Sequence, residues 1–356
     1  MGLLLPASHE AIPVTGTVFG LLGALLIFAG CGGGADEPGS RSGSSGRVQG
    51  VQVDRALPDL AERFVGLGAP ESWRLADSVS LQFGTYHPQG MARAEGHLFL
   101  SSVQIEVPTR PVEADTGAYD RTAGEGTGHL FVVGDDGAQS GHLRLGEGEI
   151  YHPGGIDSGM GAIWVPVAQY RPHSRSIVYR VDPATLEAEE VFRFDDHLGA
   201  LIVEESSPTL VAANWDARRF YAWSLTEEGG LQGGSEDPIR TWKNPAAYVA
   251  YQDCQSVGAH LALCSGQRGY RPSGPGASSP ASEFTMGGID LIDLRSGAPV
   301  WQRPSALRAP PGVPMTRNPF LVEPGDEGGL RFLFAPADDS TVLYVYEAVE
   351  AAPNGG

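Results

Sequence analysis

The 356-residue chain carries 43 Asp and Glu against 24 Lys and Arg, a net charge of -19 that argues against a nucleic-acid partner, whose phosphates it would repel. No run of like charge is long enough to form a tail, so the acidity reads as solubility. The 49 glycines and 27 prolines, set among short apolar runs rich in Val, Leu, Phe and Tyr, are the composition of an all-β protein with many turns.

Residues 11–30 are almost wholly apolar and end in Phe28-Ala29-Gly30-Cys31. This run resembles a bacterial lipoprotein signal, in which small residues precede a cysteine that becomes the lipidated N-terminus. The resemblance implies lipidation at Cys31 and a globular part outside the cytoplasm in the cell envelope, and, with no aspartate after the cysteine, it allows an outer-membrane or surface location. The first ten residues carry no Lys or Arg, where a signal is normally basic, so a plain membrane-spanning anchor over 1–31 stays open. Either way the chain meets a membrane through its N-terminus. Residues 32–50 are Gly- and Ser-rich and read as a flexible tether. An N-terminal extension follows at 51–77, with a short helix predicted over 58–65. Removing Cys31 leaves Cys254 and Cys264, on adjacent strands of a predicted hairpin. A disulfide there suits an extracytoplasmic setting, and two buried thiols are the alternative.

From residue 78 a pattern recurs. His87-Pro88-Gln89-Gly90 leads through a turn into the apolar strand 96–102, and His152-Pro153-Gly154-Gly155 leads in the same way into 161–167. Looser copies start at His197, Gln252 and Asn318, so the heads stand 45 to 66 residues apart. Each pair of strands is followed by a third, at 128–133, 176–181, 219–223, 288–294 and 341–346. A fourth follows in four copies, near 142–145, 191–194, 239–242 and 300–302. Four-stranded units at this spacing predict a β-propeller over 78–348 with five blades. The last unit lacks its fourth strand, and the alternating strand 78–83 can supply it and close the ring. Residues 349–356 read as a tail.

The segments Tyr151-His152-Pro153-Gly154-Gly155-Ile156-Asp157, Arg175 to Pro183, Tyr251-Gln252-Asp253-Cys254-Gln255 and Thr316-Arg317-Asn318-Pro319 resemble a secreted bacterial family known only as a domain of unknown function. That resemblance spans about residues 78–348 and implies no activity.

In a propeller the heads of the innermost strands converge on one axial mouth, so His87, His152, His197, Gln252 and Asn318 are candidate ligand-binding residues. Gln104 and Gln169 end neighbouring strands. Arg171, Tyr170, Tyr119 and Arg121 are candidates for the rim, overhung by inserts at 106–127 and 268–286. Three imidazoles, His87, His152 and His197, are candidate ligands for a divalent metal such as zinc, with Asp157, Asp196 and Asp253 as orienting carboxylates. A His-Pro-x-Gly turn with a purely structural role is the competing reading. Trp164, Trp215, Trp223 and Trp242 fit β-strands at or near blade cores, where packing is the first reading and sugar stacking the second. His129 and His142 fall outside the repeated register and read as ordinary. No His-Glu-x-x-His, phosphate loop or Gly-x-Ser-x-Gly is present. Three functions stay in play: binding a small ligand or surface partner at the mouth, metal-assisted hydrolase or lyase chemistry there, and a structural surface protein.

Overall fold

The computed structural model describes residues 59–112, 119–246, 248–271, 284–310 and 312–349. The expected signal or anchor with Cys31, the tether at 32–50, most of the tail, and parts of the two long inserts lie outside these residues. Among the described residues no helix is long and apolar enough to cross a membrane.

A helix, α1 (Asp59–Gly66), precedes the first strand, β1 (Arg74–Ser80). Blade one is then β2 (His87–Ala94), β3 (His97–Val107), β4 (Glu125–Val133) and β5 (Gln139–Leu145). Blade two is β6 (Ile150–Pro153) with β7 (Asp157–Gly159), then β8 (Ala162–Gln169), β9 (Ser176–Val181) and β10 (Ala188–Phe194). Blade three is β11 (Leu198–Glu204), β12 (Thr209–Asn214), β13 (Arg219–Ser224) and β14 (Arg240–Lys243). Blade four is β15 (Ala250–Gly258), β16 (Leu261–Tyr270), β17 (Phe284–Asp293) and β18 (Ala298–Ser305). A two-residue-stranded hairpin that the pattern does not foretell, β19 (Arg308–Ala309) and β20 (Val313–Pro314), leads to blade five: β21 (Phe320–Pro324), β22 (Leu330–Phe334) and β23 (Val342–Ala348). Each blade is an antiparallel meander.

The five-bladed all-β propeller expected from the repeats is thus the architecture. Blade five takes β1 as its outermost strand, with Ser78 opposite Tyr344 and Val79 opposite Leu343. The closing strand lies at 74–80 rather than 78–83. By Gln82 the chain has left this ladder, because its amide donates to Gly137 in the β4–β5 turn of blade one. Burial explains why the inner strands were easy to find. β8 is buried at all eight positions because neighbouring blades cover both its faces, whereas the outer strand β10 is mostly exposed.

The predicted short helix is α1, but it belongs to the body of the propeller. Phe64 is fully buried, Trp73 stacks on Phe332 with ring centroids 4.3 Å apart, and the buried Arg303 guanidinium donates to the carbonyls of Phe64 and Gly68. The packed core of blades four and five therefore includes Ala61, Phe64, Leu67 and Trp73. Cys254 and Cys264 face one another across β15 and β16 and are joined by a disulfide.

The axis is closed one layer below the heads. Asp253, fully buried, accepts from the amides of Met91, Ile156, Phe320 and Cys254 at 2.9–3.3 Å, so one carboxylate ties the innermost strands of blades one, two, four and five. Asp157 does the same for blades three and four through Val203 and Ser256. Here the glycines of the two His-Pro-x-Gly heads find their reason. A Cβ on Gly90 would lie 2.4 Å from the Ile156 nitrogen, and one on Gly155 would lie 2.7 Å from Asp253 Oδ1. Backbones of adjacent blades meet at the axis with no room for a side chain.

Candidate functional site

The innermost strands do not enter the axis as regular ladders. β2, β6, β11 and β15 each carry a register shift near the head, at Pro88/Gly90, Ile150/His152, Leu198/Ala200 and Tyr251/Asp253. An extra residue bends a strand and re-aims its side chains, and such bulges gather beside functional sites. The repeat therefore places a kink, not only a residue type, at the mouth.

Above the carboxylate layer, aromatic rings gather. His152 is 5% exposed, and neither ring nitrogen meets a protein partner. Its ring stacks on Tyr170 at 4.2 Å between centroids and lies 5.7 Å from His197. His197 in turn meets Trp215 edge-on at 4.7 Å, and Trp215 lies 5.8 Å from Tyr170. Burial, then the charges of His197 and His87, push the His152 imidazole well below its ordinary range. Burial likewise lowers His197 to about 4. Both rings are neutral at pH 7.

Trp215 occupies a short turn after β12 in which Asp216 and Ala217 both adopt left-handed backbone, with φ of 57° and 50°. Non-glycine residues in that region are strained, and they persist where the surroundings hold them. Here Asn214 does so, donating to Asp196 and accepting from the Arg219 amide. Asp196 also accepts from the His197 amide and from the Tyr221 hydroxyl, so it braces the head of blade three. Trp215 is half-buried at the mouth, not part of a blade core as its sequence context suggested.

His87 lies across the mouth. Its Nδ1 donates to Asp338 Oδ1 at 2.8 Å, and Asp338 also accepts from Arg317 at 2.6 Å and Asn318 at 3.0 Å. These donors hold the Asp338 carboxyl well below the usual carboxylate range despite its burial. His87 and Asn318 are therefore brought together through a carboxylate that the repeat pattern does not single out. Gln252 is not level with the histidines. Its amide donates to Gln89 Oε1 at 2.6 Å, two residues further along the strand than His87.

The rim residues are drawn over the mouth by the blade-one insert. The Arg171 guanidinium lies 3.8 Å over Tyr119, and Arg121 lies 5.2 Å over Trp215, so this insert reaches blades two and three. Gln169 organises the rim: its carbonyl accepts from His197 Nδ1 at 2.8 Å, its amide donates to Glu149, and its Oε1 accepts from Arg171. Gln104 is half-buried near the end of β3 beside Gly126, and none of the ring contacts above includes it.

Among the described residues no group of three or more His, Cys, Asp or Glu is placed to hold a metal ion. The His152 and His197 rings are inclined 52° to one another, with centroids 5.7 Å apart. The expected zinc ligand set of His87, His152 and His197 is not brought together as a metal-holding group among the described residues: His152 and His197 join an aromatic cluster, and His87 pairs with Asp338. Of the orienting carboxylates, Asp157 and Asp253 belong to the layer below.

A cleft of about 650 Å³ is lined by Glu147, Glu149, Gln169, Arg193, Asp195 and Glu236 among others. The imidazoles do not line it. Arg193 pairs with Glu147 and Glu190 there, and these side chains are largely solvated, so the cleft is an open charged surface.

A model of a family of unknown function (DUF6454) matches residues 62–352. No curated protein matches the sequence. Among solved structures, a DUF4623 family protein from Bacteroides eggerthii is 12% identical with a TM-score of 0.41, covering 80% of this chain and 77% of that one. A PQQ-bound aldose sugar dehydrogenase from Streptomyces coelicolor is 13% identical with a TM-score of 0.37, covering 78% and 98%. A luciferin-regenerating enzyme is 9% identical with a TM-score of 0.41, covering 78% and 96%.

Proposed function

The chain belongs to the DUF6454 family, and we propose that it is a binding propeller that takes a small polar ligand at its axial mouth. The observation that carries this reading is His152. A buried imidazole with both nitrogens unpaired costs stability unless something outside the protein meets it. The walls of Tyr170, His197 and Trp215, and the arginines gathered over them, are the mix of flat apolar faces and few polar groups that small-ligand sites use. We place this module outside the cytoplasm on a membrane tether, in the cell envelope. The Cys254–Cys264 disulfide suits an oxidising compartment, and the apolar run ending at Cys31 suits an anchor.

The test is a thermal-shift screen of wild type and His152→Phe against a panel of small polar molecules and zinc. A compound that raises the melting temperature of wild type alone supports the site. Hits that act equally on both proteins would place binding elsewhere. Zinc protection that EDTA reverses would favour the metal-dependent alternative. For the tether, Cys31→Ser should abolish fatty-acid labelling. Labelling that survives removes the lipoprotein reading.

A further inference from the structure

What a ligand must offer this mouth follows from the protons its imidazoles carry. A carbonyl oxygen only accepts, so the contact from His197 Nδ1 to Gln169 fixes the proton on Nδ1. The ring is neutral at pH 7, and its Nε2 then carries a lone pair. His87 gives its Nδ1 proton to Asp338 in the same way, which makes Nε2 the lone-pair nitrogen of its neutral form. Neutral His152 has one N–H and one lone pair, and the protein meets neither.

The cations around the mouth are committed elsewhere. Arg121 pairs with Asp120, Arg171 with Glu149 and Arg317 with Asp338. A bare anion would therefore meet lone pairs and guanidinium groups already neutralised. A cationic donor such as an ammonium would leave the His152 N–H without an acceptor. A hydroxyl both donates and accepts, which suits a set of lone pairs with one N–H among them. The half-buried Trp215 offers a flat apolar wall, and the C–H face of a saturated ring fits such a wall.

Taking the mouth as the binding site, we infer that its ligand is a polyhydroxylated ring of monosaccharide size, with hydroxyls on His152 and His197 and its C–H face on Trp215. Access to the His152 nitrogens requires that Tyr170, which stacks on the ring, turn aside. Its bonds are made to neutral imidazoles, so affinity holds from pH 7 upward and needs no metal.

The experiment is calorimetric titration of the full chain in detergent with D-glucose, D-galactose and D-glucuronate, with cyclohexanecarboxylate as a ring of similar size without hydroxyls. At least one pyranose should bind with a Kd of about 1 mM or tighter. His152→Phe and Trp215→Ala should each weaken it by about tenfold or more while keeping the wild-type melting temperature. Absence of binding by all three pyranoses overturns the inference. Binding of cyclohexanecarboxylate instead, lost in His152→Phe, would keep the mouth as the site and discard the polyol class. A pyranose that binds both variants as tightly as wild type would discard the mouth as well.

Discussion

Two layers of the same axis treat buried polar groups in opposite ways. In the lower layer Asp253 engages both carboxylate oxygens with four backbone amides drawn from four blades. In the upper layer, a few residues away along the same strands, His152 is just as deeply buried and its two nitrogens meet no protein group. A satisfied buried polar group is a fastening, and its removal costs the fold. An unsatisfied one is a standing cost that something other than the fold must explain. The difference separates the structural residues of the repeat from its candidate functional ones, although the sequence presents both as polar residues at strand heads.

Closure is the strongest dependence. A chain beginning at Gln89 lacks α1 and β1, leaves the edge of β23 unpaired and uncovers the Phe332 face, and is expected to aggregate or to lose cooperative melting. Melting at the same temperature as a chain beginning at Gln52 would show that the ring closes in another way. Next comes the lower layer. Asp253→Ala strips four buried amides of their acceptor and is expected to cost at least about 3 kcal/mol in urea unfolding. A loss below about 1 kcal/mol would mean that the carboxylate is not a fastening.

The blades were legible because inner strands sandwiched between neighbours must be largely apolar, as the strand Ala162–Gln169 is up to its last residue. The converging heads were legible as a repeated position. Chemistry at the heads was less so. A list of three histidines suggests a metal, yet ring orientation and tautomer are set by Gln169 and Asp338, partners far away in sequence. Asp338 and Arg317 sit outside the motif copies that carry histidine, and only the fold brings them to His87. Trp215 looked like any strand tryptophan, because nothing in Asn214-Trp215-Asp216 announces two left-handed residues in succession. The bulge at each of the first four heads was not legible, because a bulge shifts register without changing composition.

The upper layer also sets a pH dependence. His197 titrates at about 4 in the folded protein against 6.5 unfolded, so between these values the unfolded chain binds more protons. Its contribution is complete above pH 6.5 and is lost as pH falls toward 4, up to roughly 3 kcal/mol. His152, also lowered by burial, acts in the same direction. Asp157, raised by burial to about 7, acts oppositely: its contribution is present below about pH 4 and is lost as pH rises toward 7. His197→Phe should therefore flatten the acid side of the stability profile between pH 6.5 and 4. An unchanged slope would show that this ring is charged in the folded state.

The smallest expected effect is the most telling. His152→Phe keeps the stacking surface against Tyr170 and removes both unpaired nitrogens. If His152 is held for a ligand, urea unfolding of the ligand-free variant should give a stability equal to wild type or up to about 1 kcal/mol greater, with an unchanged m-value. A loss of about 2 kcal/mol or more would show that the imidazole fastens the fold as Asp253 does, and the axial mouth would lose its claim to be a binding site.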